Sequence, residues 1–188
     1  MVQRDFTERT LKVLLQYDDY LKKQHEKTKE VEELEVTLLV NCLNGLIVVP
    51  YEYANRDNAP SSVEVCKGDT NAIKDLGKEW GLNEVVIERI CDFDQKTSIE
   101  PTTNANLRLF VYRMRNSMAH SRFQDGTKGI EKGIGIIYQA TSFDPGRSRI
   151  EKLIFQDKEN RFATVIPVGG LRKFAEKFAK EALTLFEK

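Results

Sequence analysis

Apolar residues recur at three- and four-residue spacing from the start of the chain: Phe6, Thr10, Val13, Leu14, Tyr17 and Leu21. That period predicts an amphipathic helix. The charged segment from Lys22 to Glu33 covers its end and leads into a second helix with Leu34, Leu38, Leu39, Cys42, Leu43, Leu46 and Ile47. Its apolar surface is wide, so it should sit deep in a core, and Pro50 is expected to stop it. From Tyr51 to Gly68 the composition turns to Asn, Asp, Pro and Ser, which marks a loop. Two short helices are expected next, from Thr70 to Trp80 and from Asn83 to Cys91, with Gly81 between them. A third long helix should begin near Thr103, carrying the stripe Leu107, Phe110, Val111, Met114 and Met118.

Beyond Phe123 the pattern changes. Glycines at 126, 129, 133 and 135 interrupt a β-rich run, Ile134 to Ala140. The runs Ile150 to Gln156 and Phe162 to Pro167 flank a polar stretch, Asp157 to Arg161, and read as a β-hairpin. A last helix carries Leu171, Phe174, Ala175, Phe178, Ala182, Leu185 and Phe186. The expected fold is mainly α: a bundle of four long helices, with a small β-hairpin element at about residues 134–167 between the third and the fourth. There is no internal repeat.

Composition narrows the class. A length of 188 residues suits one domain, taken as residues 1–188. A hydrophobic fraction of 40% with 31% charged residues belongs to a globular chain. Basic and acidic residues balance at 29 each, which argues against coating nucleic acid through bulk charge but leaves room for a local basic site. Cys42, Cys66 and Cys91 match no zinc or redox spacing and are expected to be free thiols, Cys42 in the core. No metal-ligand motif stands out, so neither metal nor cofactor is expected. The N-terminus has no hydrophobic signal core, and the most apolar run, Val36 to Pro50, is shorter than the roughly 20 residues of a membrane span. A cytoplasmic location with no membrane partner is the expectation.

One segment carries the chemistry. Between Pro101 and Gln124 the charged residues are Arg108, Arg113, Arg115 and Arg122, with no acid among them. The same segment holds His120, one of two histidines, the other being His25 in a charged helix end. A solvated helix face normally mixes Lys, Glu and Gln, whereas this one uses only Arg, the better residue for forked phosphate contacts.

Arg115-Asn116-Ser117-Met118-Ala119-His120 resembles the R-x(4–6)-H signature of the HEPN superfamily (higher eukaryotes and prokaryotes nucleotide-binding), including a polar residue after the arginine. The run Asn41 to Pro50 is similar to the second helix of a plasmid- and defence-associated branch of that superfamily, in which a β-hairpin and a closing helix follow the motif. The resemblance implies RNA cleavage without a metal, by an enzyme of toxin or antiphage-defence type. RNA carries its own nucleophile in the 2′-hydroxyl, so the enzyme must move protons and stabilise charge. His120 is assigned to proton transfer and Arg115 to the phosphate. Products would carry 2′,3′-cyclic phosphate and 5′-hydroxyl ends. Asn116 and Ser117 are expected to add hydrogen bonds to phosphate or ribose, and Arg108, Arg113 and Arg122 to hold the strand. Many members carry an upstream acid near the site, and Glu52 is the candidate here.

The spacing poses a geometric problem. At about 100° per residue, positions five apart differ by roughly 140° around a helix, so Arg115 and His120 do not converge on one regular helix. Either the helix ends or bends before His120, or the site assembles from two chains. Members commonly dimerise across this helix, so a homodimer is expected. Some HEPN toxins carry a Tyr two residues after the histidine, which a partner enzyme modifies. Here that position is Arg122, which counts against neutralisation by that route, while an antitoxin or defence-system partner of another kind stays open. Two rival readings stand beside the ribonuclease: a non-catalytic RNA- or nucleotide-binding HEPN module, and a dimeric regulatory partner protein.

Overall fold

The computed structural model describes residues 2–25, 35–54, 71–94, 96–119, 124–125, 135–140, 150–157 and 161–185. Helix α1 is Val2–His25. Its buried line is Thr7, Leu11 and Leu14, while Phe6 and Val13, expected to face inward, are about half exposed at 49% and 48%. Helix α2 is composite: an α-helical segment Glu35–Leu43, a π-helical turn Asn44–Val48 and a further α-helical segment Val49–Ala54. Pro50 therefore does not stop the helix, contrary to the sequence expectation. A proline has no N–H to give and its ring crowds the carbonyl four residues back. The wide turn immediately before it absorbs both defects, with the Val49 N–H reaching back to the Asn44 carbonyl. Because the helix continues, Tyr51 and Glu52 lie on a helix and not in the expected loop.

The π-helical turn is the hub of the helical layer. Leu46 and Ile47 are fully buried, and the turn packs against α1 and the two long helices that come later in the chain. Gly45 is what permits the approach of α1: a Cβ there would stand 2.4 Å from the Thr10 Oγ1. Helix α3, Ile73–Trp80, ends at Gly81, whose φ of +73° is left-handed. Where a helix was expected over Asn83 to Cys91, the chain forms strand β1, Val86–Arg89. Its β-branched Val86 and Ile87 pair with a strand some 80 residues away, a partner that local periodicity does not reveal.

Helix α4, Leu107–Ala119, starts a few residues later than Thr103. A short 3₁₀ turn, Thr102–Asn104, precedes it, and the Asn106 side chain caps it by accepting the Leu109 N–H at 2.9 Å. Strands β2 (Gln124–Asp125), β3 (Gly135–Ala140), β4 (Ile150–Asp157) and β5 (Phe162–Pro167) follow, and α5, Val168–Leu185, closes the chain. The expected hairpin is present as β4 and β5, in register Phe155 to Thr164. It is the middle of a wider sheet, ordered β1-β5-β4-β3-β2, in which only the β2–β3 pair is parallel. The protein is thus mainly helical with a sheet beside the helices. Phe110 of α4 joins the two, its ring edge-on to Phe162 of β5 and to Phe174 of α5 at 6.2 and 6.1 Å.

Candidate functional site

Helical phase sorts the residues of α4 cleanly. Leu107, Leu109, Phe110, Val111, Arg113, Met114, Asn116, Ser117 and Met118 are buried. Arg108, Tyr112 and Arg115 are half-buried and Ala119 is exposed. Spaced by four, three and four, these last residues form one narrow open face. Everything that α4 offers to a ligand among the described residues comes from that face.

Arg115 is held there from two sides. Its guanidinium forms an ion pair with Glu52 through Nη2, and Nη1 donates to the Asn116 Oδ1 at 2.8 Å. Arg115 retains 24% side-chain exposure and Glu52 44%, so the pair lies at the surface and is accessible. Two of the five N–H donors of the fork are engaged in this way, and the Nε–H is buried with no hydrogen-bond partner among the described residues. The fork is thereby fixed in orientation yet keeps donors in hand. Glu52 reaches it because α2 runs on through Pro50, which joins the upstream acid to the motif arginine.

Arg113 has a different fate. It is fully buried, its Nε and Nη2 donating to the Cys91 carbonyl at 3.3 and 3.2 Å and Nη2 donating also to the Asp92 carbonyl. The expectation that Arg113 holds RNA is corrected: it pins the turn that follows β1. Ser117 is corrected likewise, since its hydroxyl is fully buried and donates to the Met114 carbonyl at 2.7 Å. Asn116 is buried and serves Arg115. His120 and Arg122 lie outside the described residues.

The family model described as HEPN pEK499 p136 matches residues 1–188. The chain belongs to this HEPN family. No curated protein and no solved structure matches it. Membership of a HEPN family points to a nucleotide- or RNA-related function. Within this HEPN chain the motif arginine stands on the open face of α4, beside the acid of α2.

Two aromatic residues on the same face escaped the sequence reading. Tyr112 stacks at a tilt on Phe93, with ring centroids 5.4 Å apart, and touches the buried Tyr51 ring at 6.3 Å. The Arg108 guanidinium carbon lies 5.3 Å from the Phe93 ring centre. For Tyr112 alone the signal was present in the spacing, because Arg108, Tyr112 and Arg115 share a helical face. The burial of Cys42 is as expected, and it pushes that thiol pKa up. No helix of the described residues is long and apolar enough to cross a membrane. Among the same residues no group of three or more His, Cys, Asp or Glu side chains is disposed to hold a metal ion.

Proposed function

We propose that this HEPN chain is a metal-independent endoribonuclease of toxin or antiphage-defence type, cleaving RNA through its 2′-hydroxyl. The observation that carries the reading is the Glu52–Arg115–Asn116 arrangement, which aims a permanently charged fork from an accessible face, five residues before a histidine. In the proposed reaction His120 takes the proton from the 2′-hydroxyl or gives one to the departing 5′-oxygen. Arg115 stabilises the charge gathering on the phosphate oxygens. Glu52 holds the fork in place, so that little reorganisation is needed when the strand arrives. The products are 2′,3′-cyclic phosphate and 5′-hydroxyl ends.

The homodimer is part of the same proposal. Helix α4 is regular from Leu107 to Ala119, and the dimer reading takes it to continue through His120, which lies outside the described residues. On a regular helix the fifth position after Arg115 falls roughly 140° away, on the side of Arg113 and Asn116. A two-fold axis beside α4 would let one chain's Arg115 work with the other's His120. In the cell an antitoxin or defence-system partner would restrain or trigger such activity.

Incubation of the purified protein with RNA in EDTA tests the reading. Cleavage leaving cyclic phosphate ends, lost in Arg115→Ala and His120→Ala, is the expected result. Intact RNA under all conditions, or a strict requirement for added divalent metal, would overturn it. Binding without cleavage would favour the module that only holds RNA.

A further inference from the structure

Phe93 is a large apolar ring left 45% exposed, and the structure goes to some length to hold it there. Buried Arg113 fixes the carbonyls of the two preceding residues, Cys91 and Asp92. On the far side the Asp92 carboxylate accepts the Lys96 and Thr97 N–H groups at 3.2 and 3.3 Å. A ring positioned so firmly and yet partly open among the described residues is preorganised for an incoming partner. Its neighbours set the chemistry of that partner. Tyr112 leans on one side at 5.4 Å, and Arg108 stands 5.3 Å from the ring centre. Arg108 has no carboxylate partner among the described residues, and its Nε–H is buried without a hydrogen-bond acceptor there. Among the described residues its positive charge is therefore unpaired, unlike that of Arg115.

We propose that Phe93, Tyr112 and Arg108 form a nucleobase-stacking subsite for the RNA strand cleaved at Arg115. The proposal rests on the ribonuclease reading and adds to it where the strand is gripped. A base stacks against the Phe93–Tyr112 pair, as bases do on aromatic platforms in single-strand binders, and Arg108 takes the neighbouring phosphate. Arg108 and Arg115 are seven residues apart, about 10 Å along the helix. That is about three steps of a stacked strand at 3.4 Å each. The stacked base thus sits two or three nucleotides from the scissile phosphate, and recognition rests on ring stacking more than on base edges. A preference for purines at that position follows from their larger face.

The test uses a short 2′-O-methyl oligoribonucleotide, which cannot be cleaved because the nucleophile is blocked, with 2-aminopurine placed at each position in turn. Bound to the wild-type protein, the reporter should be quenched at one position. Phe93→Ala should abolish that quenching and weaken binding roughly 5- to 150-fold, the range for loss of one stacked base. Phe93→Trp should retain both, and unchanged thermal unfolding of the variants shows that the fold is intact. On cleavable RNA, Phe93→Ala should raise KM with kcat little changed, while a dinucleotide too short to reach the subsite should be cut as by the wild type. Quenching and affinity unaffected by Phe93→Ala would overturn the subsite, as would the absence of quenching at every position. Position-specific quenching that depends on Phe93, in a protein that leaves cleavable RNA intact, would instead uphold the subsite and sink the ribonuclease reading.

Discussion

Arg113 and Arg115 stand two residues apart on α4, and their surroundings could hardly differ more. Arg113 is sealed beneath the turn after β1, its fork bonded to backbone carbonyls. Arg115 lies on the open face, paired with a half-exposed carboxylate from α2. A step of two residues turns a helix by about 200°, so adjacent members of an arginine run look toward opposite sides. The comparison teaches that such a run is not one surface. One member holds up a loop, the next stands open to the proposed ligand, and their mutants should fail in different ways.

The largest effects should fall on catalysis. His120→Ala is expected to slow RNA cleavage by about 10²- to 10⁴-fold, as for loss of a positioned proton-transfer group. Arg115→Ala should cost about 10²- to 10³-fold through lost transition-state stabilisation. For Arg115→Ala, thermal unfolding should change little, since a half-exposed ion pair contributes about 1 kcal/mol or less. Arg113→Ala should show the reverse. It removes the largest fully buried side chain, opens a cavity and strands two carbonyls, for a loss of about 3 kcal/mol or more. Urea unfolding measures it, and a change below about 0.5 kcal/mol, the scale of an ordinary surface substitution, would break the comparison.

Glu52→Gln sharpens it. Removing the countercharge frees the Arg115 fork, so RNA should bind more tightly while turnover falls, each on the order of tenfold or about 1.4 kcal/mol. Single-turnover kinetics separate the two, and a parallel fall in both would mean that Glu52 only screens the site. The smallest effect concerns pH at the turn that Arg113 supports. A hydrogen bond with the Asp94 carboxyl, followed by those from Thr97 and Lys96, holds the Asp92 pKa below its ordinary value of 3.8. A carboxyl whose pKa is lower in the folded state stabilises the fold fully above the unfolded value and loses that contribution as pH falls through the folded one. Hydrogen exchange at the Lys96 and Thr97 amides should therefore be insensitive to pH near neutrality, after allowance for intrinsic rates, and lose protection only below about pH 4. Lost protection between pH 5 and 7 would assign the turn to another group.

Much of this was legible in advance, and the failures share a cause. The long helices, the β4–β5 hairpin and the motif were readable because each rests on local period or identity. Arg113 was misread because charge was counted without phase: a wheel places it between Leu109 and Phe110, both buried. Strand β1 was misread because its partner is distant in sequence, and α2 was cut short because Pro50 is tolerated only with the widened turn before it. Phe93 gave no signal at all, since its placement depends on the buried arginine that was itself misjudged.

The widened turn at Asn44–Val48 has a consequence of another kind. Between the fixed contact at Gly45 and the acid at Glu52, the helix works like a ratchet with one tooth per residue. Deleting a single residue there with the turn kept at its present width would rotate everything downstream by about 100°. Glu52 would then swing away from Arg115 with no side chain of the site having been altered. The proposed catalytic apparatus can thus be disarmed by spelling the scaffold one letter shorter, a change that leaves the motif intact to any reader of the sequence.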